Sequence, residues 1–400
     1  MQFNKKRIIL GAVVVLFLGL ALYPVARSTV AAQESSIGVF LQALDIVKTQ
    51  YVDRKVDVKD LIYGGIRGML AALNDPYTRF LDPKSYTDMQ VRMDGRFYGV
   101  GIQIGMKNNQ ITVISPIAGT PAAKAGVKAL DVIKTVDGVS LDNVALEEAV
   151  GKIRGPRGTK VVLGLQRKDV KKIIEVAMIR DVIKIQSVTK TKIVDAQKKI
   201  GYIQLASFES KTATEEMMSA LDDLEKQGMQ GLIVDVRNNG GGLLQNAIEI
   251  GSIFVKDGTI VSTLDRYQSA EVFETVWTRK KYHKDPLVVL INGASASASE
   301  ILAGAIEDHG RGKLIGTHSF GKASVQVVRS LDDGSAILVT VAKYFTPKGT
   351  DINKHGISPD MEVRIPTATI EMAMKNPDYE YNEKDDLQLQ EAIKYLKKQL

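Results

Sequence analysis

The chain has 400 residues, 44% hydrophobic and 25% charged. This is ordinary globular composition, enough for two or three domains with sizeable cores. It has no cysteine, so disulfides are excluded and stability must come from packing, even outside the cytoplasm. Part of the formal charge of +7 sits at the N-terminus: residues 1–32 hold Lys5, Lys6, Arg7 and Arg27 and no acid, and without them 49 basic residues face 46 acidic ones, a charge of +3. A balance that close to neutral does not imply a nucleic-acid partner.

In chain order, Lys5-Lys6-Arg7 and the apolar run Ile8 to Tyr23, broken by Pro24, read as an export signal over residues 1–32, with Val30-Ala31-Ala32 as a cleavage site. The same segment left uncleaved would be a membrane anchor. Either way the protein is exported across the cytoplasmic membrane, to a periplasm, cell envelope or equivalent lumen. Residues 37–93 form a helical N-terminal region, with helices at Val39–Asp53 and Asp60–Leu73, the second ended by Asn74-Asp75-Pro76. Phe97 to Ile104 alternates bulky residues with glycine, as a strand does where backbone must approach a ligand closely. It opens a β-rich domain over 94–180, with a short helix at Ala122–Ala125 and a longer one at Leu146–Ile153. Over 181–366, strands near Tyr202–Leu205, Leu232–Val236, Leu287–Ile291 and Ile337–Val341 alternate with helices near Thr214–Gln227 and Leu243–Val255, which predicts an α/β core with a largely parallel sheet. In the tail, 367–400, Leu389, Ile393, Leu396 and Leu400 share one helical face, which suggests a subunit contact and a homo-oligomer.

The chemistry concentrates between Leu287 and Val327. The apolar strand Leu287–Ile291 ends at Asn292-Gly293, and a helix begins among the small residues Ala294 to Ser299. A serine at such a junction is presented beside unpaired backbone N–H groups. Ser295, Ser297 and Ser299 all qualify on physical grounds. Lys322 follows between Gly321 and Ala323, among the apolar Phe320, Val325 and Val327, with no acid between His309 and Ser330. To act as a base near neutrality, a lysine must titrate roughly 3 pH units below its usual ~10.4, about 4 kcal/mol against its charge, which burial can supply. The glycines after the strand Leu232–Val236 offer N–H donors for a developing oxyanion. Asp235 and Arg237 beside them read as a structural ion pair. No GxxxxGK[ST] or GxGxxG nucleotide motif occurs, and none of His283, His309, His318 and His355 has metal-ligand spacing. A Ser-His-Asp triad is the stronger rival, since His309 and His318 lie between Ser297 and Lys322, but His309 fits a helix C-cap and there is no GxSxG elbow.

The stretches NGASASASEILAGAIEDHGR and GTHSFGKASVQ resemble the signature of the carboxyl-terminal processing peptidases, or tail-specific proteases. The resemblance covers about Val39 to Ile365. It implies an α/β fold, a ClpP/crotonase-like protease core with a helical N-terminal region and an inserted β-rich PDZ domain, and an exported serine endopeptidase working by a Ser-Lys dyad. It selects Ser297 as nucleophile, Lys322 as general base and Gln326 as its support. It assigns the oxyanion donors to Gly241 or Gly242 together with Ala298, and makes Glu300 and Asp308 orienting groups. Gly240 stands where the family often has proline. The stretch from about Asp94 to Arg180 resembles a PDZ domain, whose carboxylate loop falls on Tyr98, Gly99, Val100, Gly101 and Ile102; Arg154 matches a position tied to peptide relay. Ala129-Leu130 replaces a frequent Pro-Gly turn, a departure expected to reduce only turn rigidity. The implied partners are proteins or peptides with accessible C-termini, with no metal and no cofactor. A PDZ scaffold without turnover and an acyl-thioester enzyme are the alternatives; the intact Ser297, Lys322 and Gln326 oppose the first, and the PDZ-like segment and export signal oppose the second.

Overall fold

The computed structural model describes residues 37–366 and 385–400, apart from residues 54, 108, 118, 169 and 278–283. Residues 1–32, read above as an export signal, and the stretch 367–384 of the tail lie outside the described residues. Among the described residues no helix is long and apolar enough to cross a membrane. The chain divides into two compact units, the first ending at Phe80 and the second running from Leu81 to Leu400.

In the first unit, α1 covers residues 37–50. It is followed by α2 (Val58–Ala71), capped where the Asp57 carboxylate accepts the Lys59 N–H. Tyr63 of α2 packs on Phe80 with ring centroids 4.6 Å apart. Strand β1 (Arg79–Leu81) spans the boundary, and the second unit opens with α3 (Pro83–Asp94), which begins with Asp82 as cap and Pro83 in the first turn.

The β-rich domain is inserted through a ribbon: β2 (Arg96–Gly99) enters it and pairs antiparallel with β9 (Asp181–Lys184), which leaves it. Between them, β3 (Ile102–Lys107), β4 (Gln110–Pro116), β5 (Val132–Val136), β7 (Lys160–Gln166) and β8 (Ile174–Ile179) form one sheet in that order, with β6 (Val139–Ser140) paired to β5. Its core, including Val113, Val161, Leu163 and Leu165, is closed by α4 (Pro121–Lys124) and α5 (Leu146–Ile153) through Ala122, Ala149 and Ile153. The buried Arg180 guanidinium donates to the Lys152 and Ile153 carbonyls at the end of α5, satisfying acceptors that a helix end leaves unpaired. The Ala129-Leu130 turn costs more than rigidity: Leu130 has φ 67°, a left-handed conformation that destabilises a residue with a side chain by roughly 1–2 kcal/mol.

The α/β core is built on a six-stranded sheet in the order β10 (Val188–Asp195), β11 (Ile200–Leu205), β12 (Gly231–Asp235), β15 (Leu287–Ile291), β16 (Lys313–Gly316) and β19 (Met361–Glu362). All neighbours are parallel except β10 and β11. Helices α6 (Ala213–Lys226), α7 (Leu244–Phe254) and α8 (Ala298–Asp308) share a core with the sheet face that carries Val234, Val289 and Ile291. On the opposite face Ile233, Val288 and Leu290 pack against Leu389, Ala392 and Leu396 of α9 (Leu387–Gln399). This two-sided cover is why β12 and β15 are unbroken apolar runs. It also overturns the subunit role expected for the tail helix: Leu389 and Leu396 are spent within the chain, with Ile393 packed beside them.

The strand expected at Ile337–Val341 lies in β18 (Ala336–Phe345), and not in the parallel sheet. A tight turn at Leu331–Ser335 folds it antiparallel onto β17 (Ser324–Ser330), and it also pairs with β13 (Thr259–Asp265), whose other neighbour is β14 (Ala270–Glu274). β16 and β19 complete the parallel sheet instead.

Asp235 and Arg237 form the expected pair within a larger buried network. The Arg237 guanidinium donates to Asp235, Asp386 and Gln388, and the Tyr202 hydroxyl donates to Asp235 at 2.7 Å. Burial opposes the Arg237 charge, but Asp235 and Asp386 more than offset it, so the guanidinium holds its proton more firmly than usual. Burial, with Asp235 alongside, pushes the Tyr202 phenol well above its usual range. Replacing Arg237 with Met strands two carboxylates whose side chains are 1% and 6% exposed, and is expected to cost about 3–5 kcal/mol. Urea unfolding reads this directly; a loss below about 1 kcal/mol would show the acids to be compensated by other means.

Candidate active site

The three candidate serines, equivalent in the sequence, occupy different environments. Ser295 is fully buried: its hydroxyl donates to the Val236 carbonyl at 2.8 Å and accepts the Asn292 N–H at 2.9 Å. Ser299 is fully buried too, donating to the Asn239 carbonyl at 2.9 Å. Both staple the turn to the strand end. Ser297, partly open, directly precedes α8 with φ 57° and ψ −117°. A residue with a side chain holds such a conformation at a cost of order 1–3 kcal/mol, and only where its surroundings over-determine it. They do so here: the Ser297 N–H donates to Glu300 Oε2 at 2.8 Å, its carbonyl accepts the N–H groups of Glu300 and Ile301, and Ala296 N–H donates to Asn239.

Glu300, expected as an orienting group, is the hub. Its carboxylate is buried and takes four donors, two on each oxygen. Oε1 accepts the Ser319 hydroxyl at 2.5 Å and the Gly321 N–H at 2.7 Å; Oε2 accepts the N–H groups of Ser297 at 2.8 Å and Lys322 at 3.0 Å. The amide nitrogens of Ser297 and Lys322 therefore cannot lie farther apart than the sum of those last two distances. Tyr344, from β18, adds its hydroxyl at the same place: it donates to the Lys322 carbonyl, with the Ser297 carbonyl at 3.2 Å. Behind the lysine loop, Ser319 Oγ also accepts the Ile357 N–H, and the Gly321 carbonyl accepts the Lys354 N–H. Gly321 has φ 87°, and a Cβ there would stand 2.9 Å from the His355 and Gly356 nitrogens. Asp308 accepts the Lys348 N–H at 2.8 Å and so acts from the far end of α8. The Gln326 amide donates to Ser324 and Thr340 hydroxyls on β17 and β18.

The glycine loop after β12 closes over the serine turn. Asn239 is fully buried, donating to the Leu205 carbonyl and accepting the Gly241 N–H at 2.9 Å. Gly241 has φ 96°, and a Cβ there would lie 2.7 Å from both the Ala296 oxygen and Ser297 Cβ, and 2.8 Å from the Ala298 nitrogen. Gly242 is pressed on the other side, against the Phe208 and Glu209 backbone. The loop thus brings Gly241, Ala298 and Ser297 together.

In the inserted domain, Phe97, Gly99 to Ile102, Ile104, Val150, Ile153 and Arg154 line a groove of about 160 Å³ between β3 and α5. β3 is a terminal strand of its sheet, so one edge is open to a further strand. Tyr98 does not line this groove; it lies on β2 opposite Val182, half exposed. Arg154 ion-pairs with Asp88 at 2.6 Å and lies over the Phe97 ring. Neither described histidine of the rival triad is bonded to an acid: His309 meets the Thr259 carbonyl and His318 the Ser358 hydroxyl.

Known proteins resemble this chain over most of its length. The Peptidase family S41 profile matches residues 199–363, the PDZ domain profile residues 88–166 and the Activating protease CtpB N-terminal domain profile residues 24–85. A carboxy-terminal-processing protease of Bartonella bacilliformis is 40% identical over 358 residues, spanning 88% of this chain and 81% of its own. The chain belongs to peptidase family S41. Carboxy-terminal processing protease CtpB of Bacillus subtilis is 35% identical over 375 residues, 94% of this chain and 75% of its own. An S41 protease structure from Bacteroides fragilis, 14% identical, superposes over 89% of this chain and 97% of its own with a TM-score of 0.54, which supports the fold. This S41 chain is accordingly a carboxyl-terminal processing protease of serine type with a PDZ domain.

Sequence reasoning passed over Ser319, Asn239 and Tyr344. Their signal was weak: each belongs to a common residue type and reaches the site only through the fold. The Gly241 contacts give a direct test. Gly241→Ala would force both a left-handed alanine and a shift of the serine turn, so turnover of a peptide substrate is expected to fall about 100-fold while the melting temperature stays within a few degrees. Unchanged turnover would mean that the loop does not set the serine position.

Proposed function

We propose that this protease is exported and cleaves substrates presented by their C-termini, through an acyl-enzyme formed on Ser297. What carries the reading is that the only one of the three candidate serines not fully buried is tied through Glu300 to the backbone of Lys322. The free end of a substrate would add as a strand to the open edge of β3, its carboxylate received by the backbone N–H groups of residues 99–102. Ser297 Oγ attacks the scissile carbonyl, forming the C–O bond while its proton passes to the neutral Lys322 amine. The resulting oxyanion is held by the N–H of Ala298 with that of Gly242, the Gly241 N–H being given to Asn239. Collapse breaks the C–N bond, and Lys322 returns the proton to the departing amine; a water molecule then takes the serine's place and releases the acid product. Gln326, four residues beyond the lysine in β17, supports the amine. The apolar N-terminal segment supports delivery outside the cytoplasm, with cleavage or retention as a membrane tether.

Ser297→Ala and Lys322→Ala are each expected to abolish cleavage of casein and of a peptide with a free C-terminus, with unfolding curves like wild type. The same peptide as its C-terminal amide should be cut more slowly by the wild type. Wild-type turnover in either variant, or equal rates on acid and amide peptides, would refute the corresponding half of the proposal.

A further inference from the structure

We propose that Tyr344 is a positioning residue of the peptidase reaction, its phenol fixing the main chain of the base residue. This rests on the reading of Ser297 and Lys322 as nucleophile and base. Tyr344 is buried in the core beside α8, and it grips the lysine loop twice. Its hydroxyl donates to the Lys322 carbonyl, and its backbone N–H donates to the Ala323 carbonyl at 3.2 Å. On the other side of the same residue, Glu300 accepts the Lys322 N–H. Both backbone polar groups of Lys322 are thus held by buried side chains, one from α8 and one from β18, so that the amine moves only through side-chain torsions.

The geometry also sets a choice. A phenol has one proton, yet its oxygen lies near three acceptors: the Lys322 carbonyl, the Ser297 carbonyl at 3.2 Å and Glu300 Oε2 at 3.4 Å. The Ser297 carbonyl already accepts from Glu300 and Ile301 N–H groups, and Oε2 from Ser297 and Lys322 N–H groups. The lysine carbonyl is the acceptor the phenol serves. Removing the oxygen alone leaves the ring and its packing in place but releases that carbonyl, and with it the direction from which the amine approaches the serine. Nothing in the substrate-binding groove of the PDZ domain involves Tyr344, so the defect belongs to the chemical step.

The test compares Tyr344→Phe with Tyr202→Phe, a control that strips another buried phenol from the Asp235 network. For a short peptide substrate, Tyr344→Phe should lower kcat about 10- to 100-fold with KM within about twofold of wild type. Tyr202→Phe should lower unfolding stability and leave kcat unchanged. A kcat within twofold of wild type in Tyr344→Phe overturns the proposal, as does a loss matched by Tyr202→Phe at equal loss of melting temperature, or a Tyr344→Phe chain that no longer folds. Ser297→Ala and Lys322→Ala are run beside them: if these retain turnover, the nucleophile and base are wrongly assigned, whereas their inactivity with a normal Tyr344→Phe removes only the role of the phenol.

Discussion

A buried carboxylate that must be satisfied from two separate chain segments is the constraint on which this active site depends. Taking a carboxylate out of water costs several kcal/mol even after relaxation. Glu300 meets that cost with four donors, each charge-assisted bond contributing about 1.5–3 kcal/mol, and those donors come from the serine turn and the lysine loop. The acid therefore converts a solvation requirement into geometry: it is stable only when the residues around Ser297 and Lys322 are side by side. The strained backbone at Ser297 is held by the same bonds, so the conformational energy stored at Ser297 is offset by the group that also holds the Lys322 backbone.

The surrounding fold makes this possible by supplying rigid walls. The serine turn leaves β15 in the middle of the parallel sheet, with helices on both faces, and the glycine loop leaves the adjacent β12. Ser295 and Ser299 pin the two loops to each other, and Asn239 pins the glycine loop to the end of β11, all through buried side-chain bonds. The lysine arrives from a different sheet, on the approach to β17, and Tyr344 of β18 secures it. Two sheets thus each present one half of the site, and Glu300 with Tyr344 forms the seam.

Much of this was legible in the sequence where the physics is local. The run Leu287–Ile291, the small residues after it and the helix that follows declare a strand, a tight turn and a helix start, and α5 falls on its expected residues. The choice among Ser295, Ser297 and Ser299 was not local. It depends on which hydroxyls face the end of β12 and the glycine loop after it, which no spacing reveals. The antiparallel placement of β18 and the docking of α9 onto its own sheet were hidden for the same reason, since an amphipathic strand or helix does not name the surface that covers it. Tyr344, 47 residues from Ser297 along the chain, became visible only once β17 and β18 were paired.

The most direct test of the account is turnover in Glu300→Gln. The isosteric amide places an NH2 where one oxygen accepted two donors, whichever way it is turned, so that one segment must be repelled. The account predicts a loss of about 100-fold or more in kcat, with peptide binding by the PDZ domain and the folded state retained. A Glu300→Gln enzyme that turns over like wild type would contradict it.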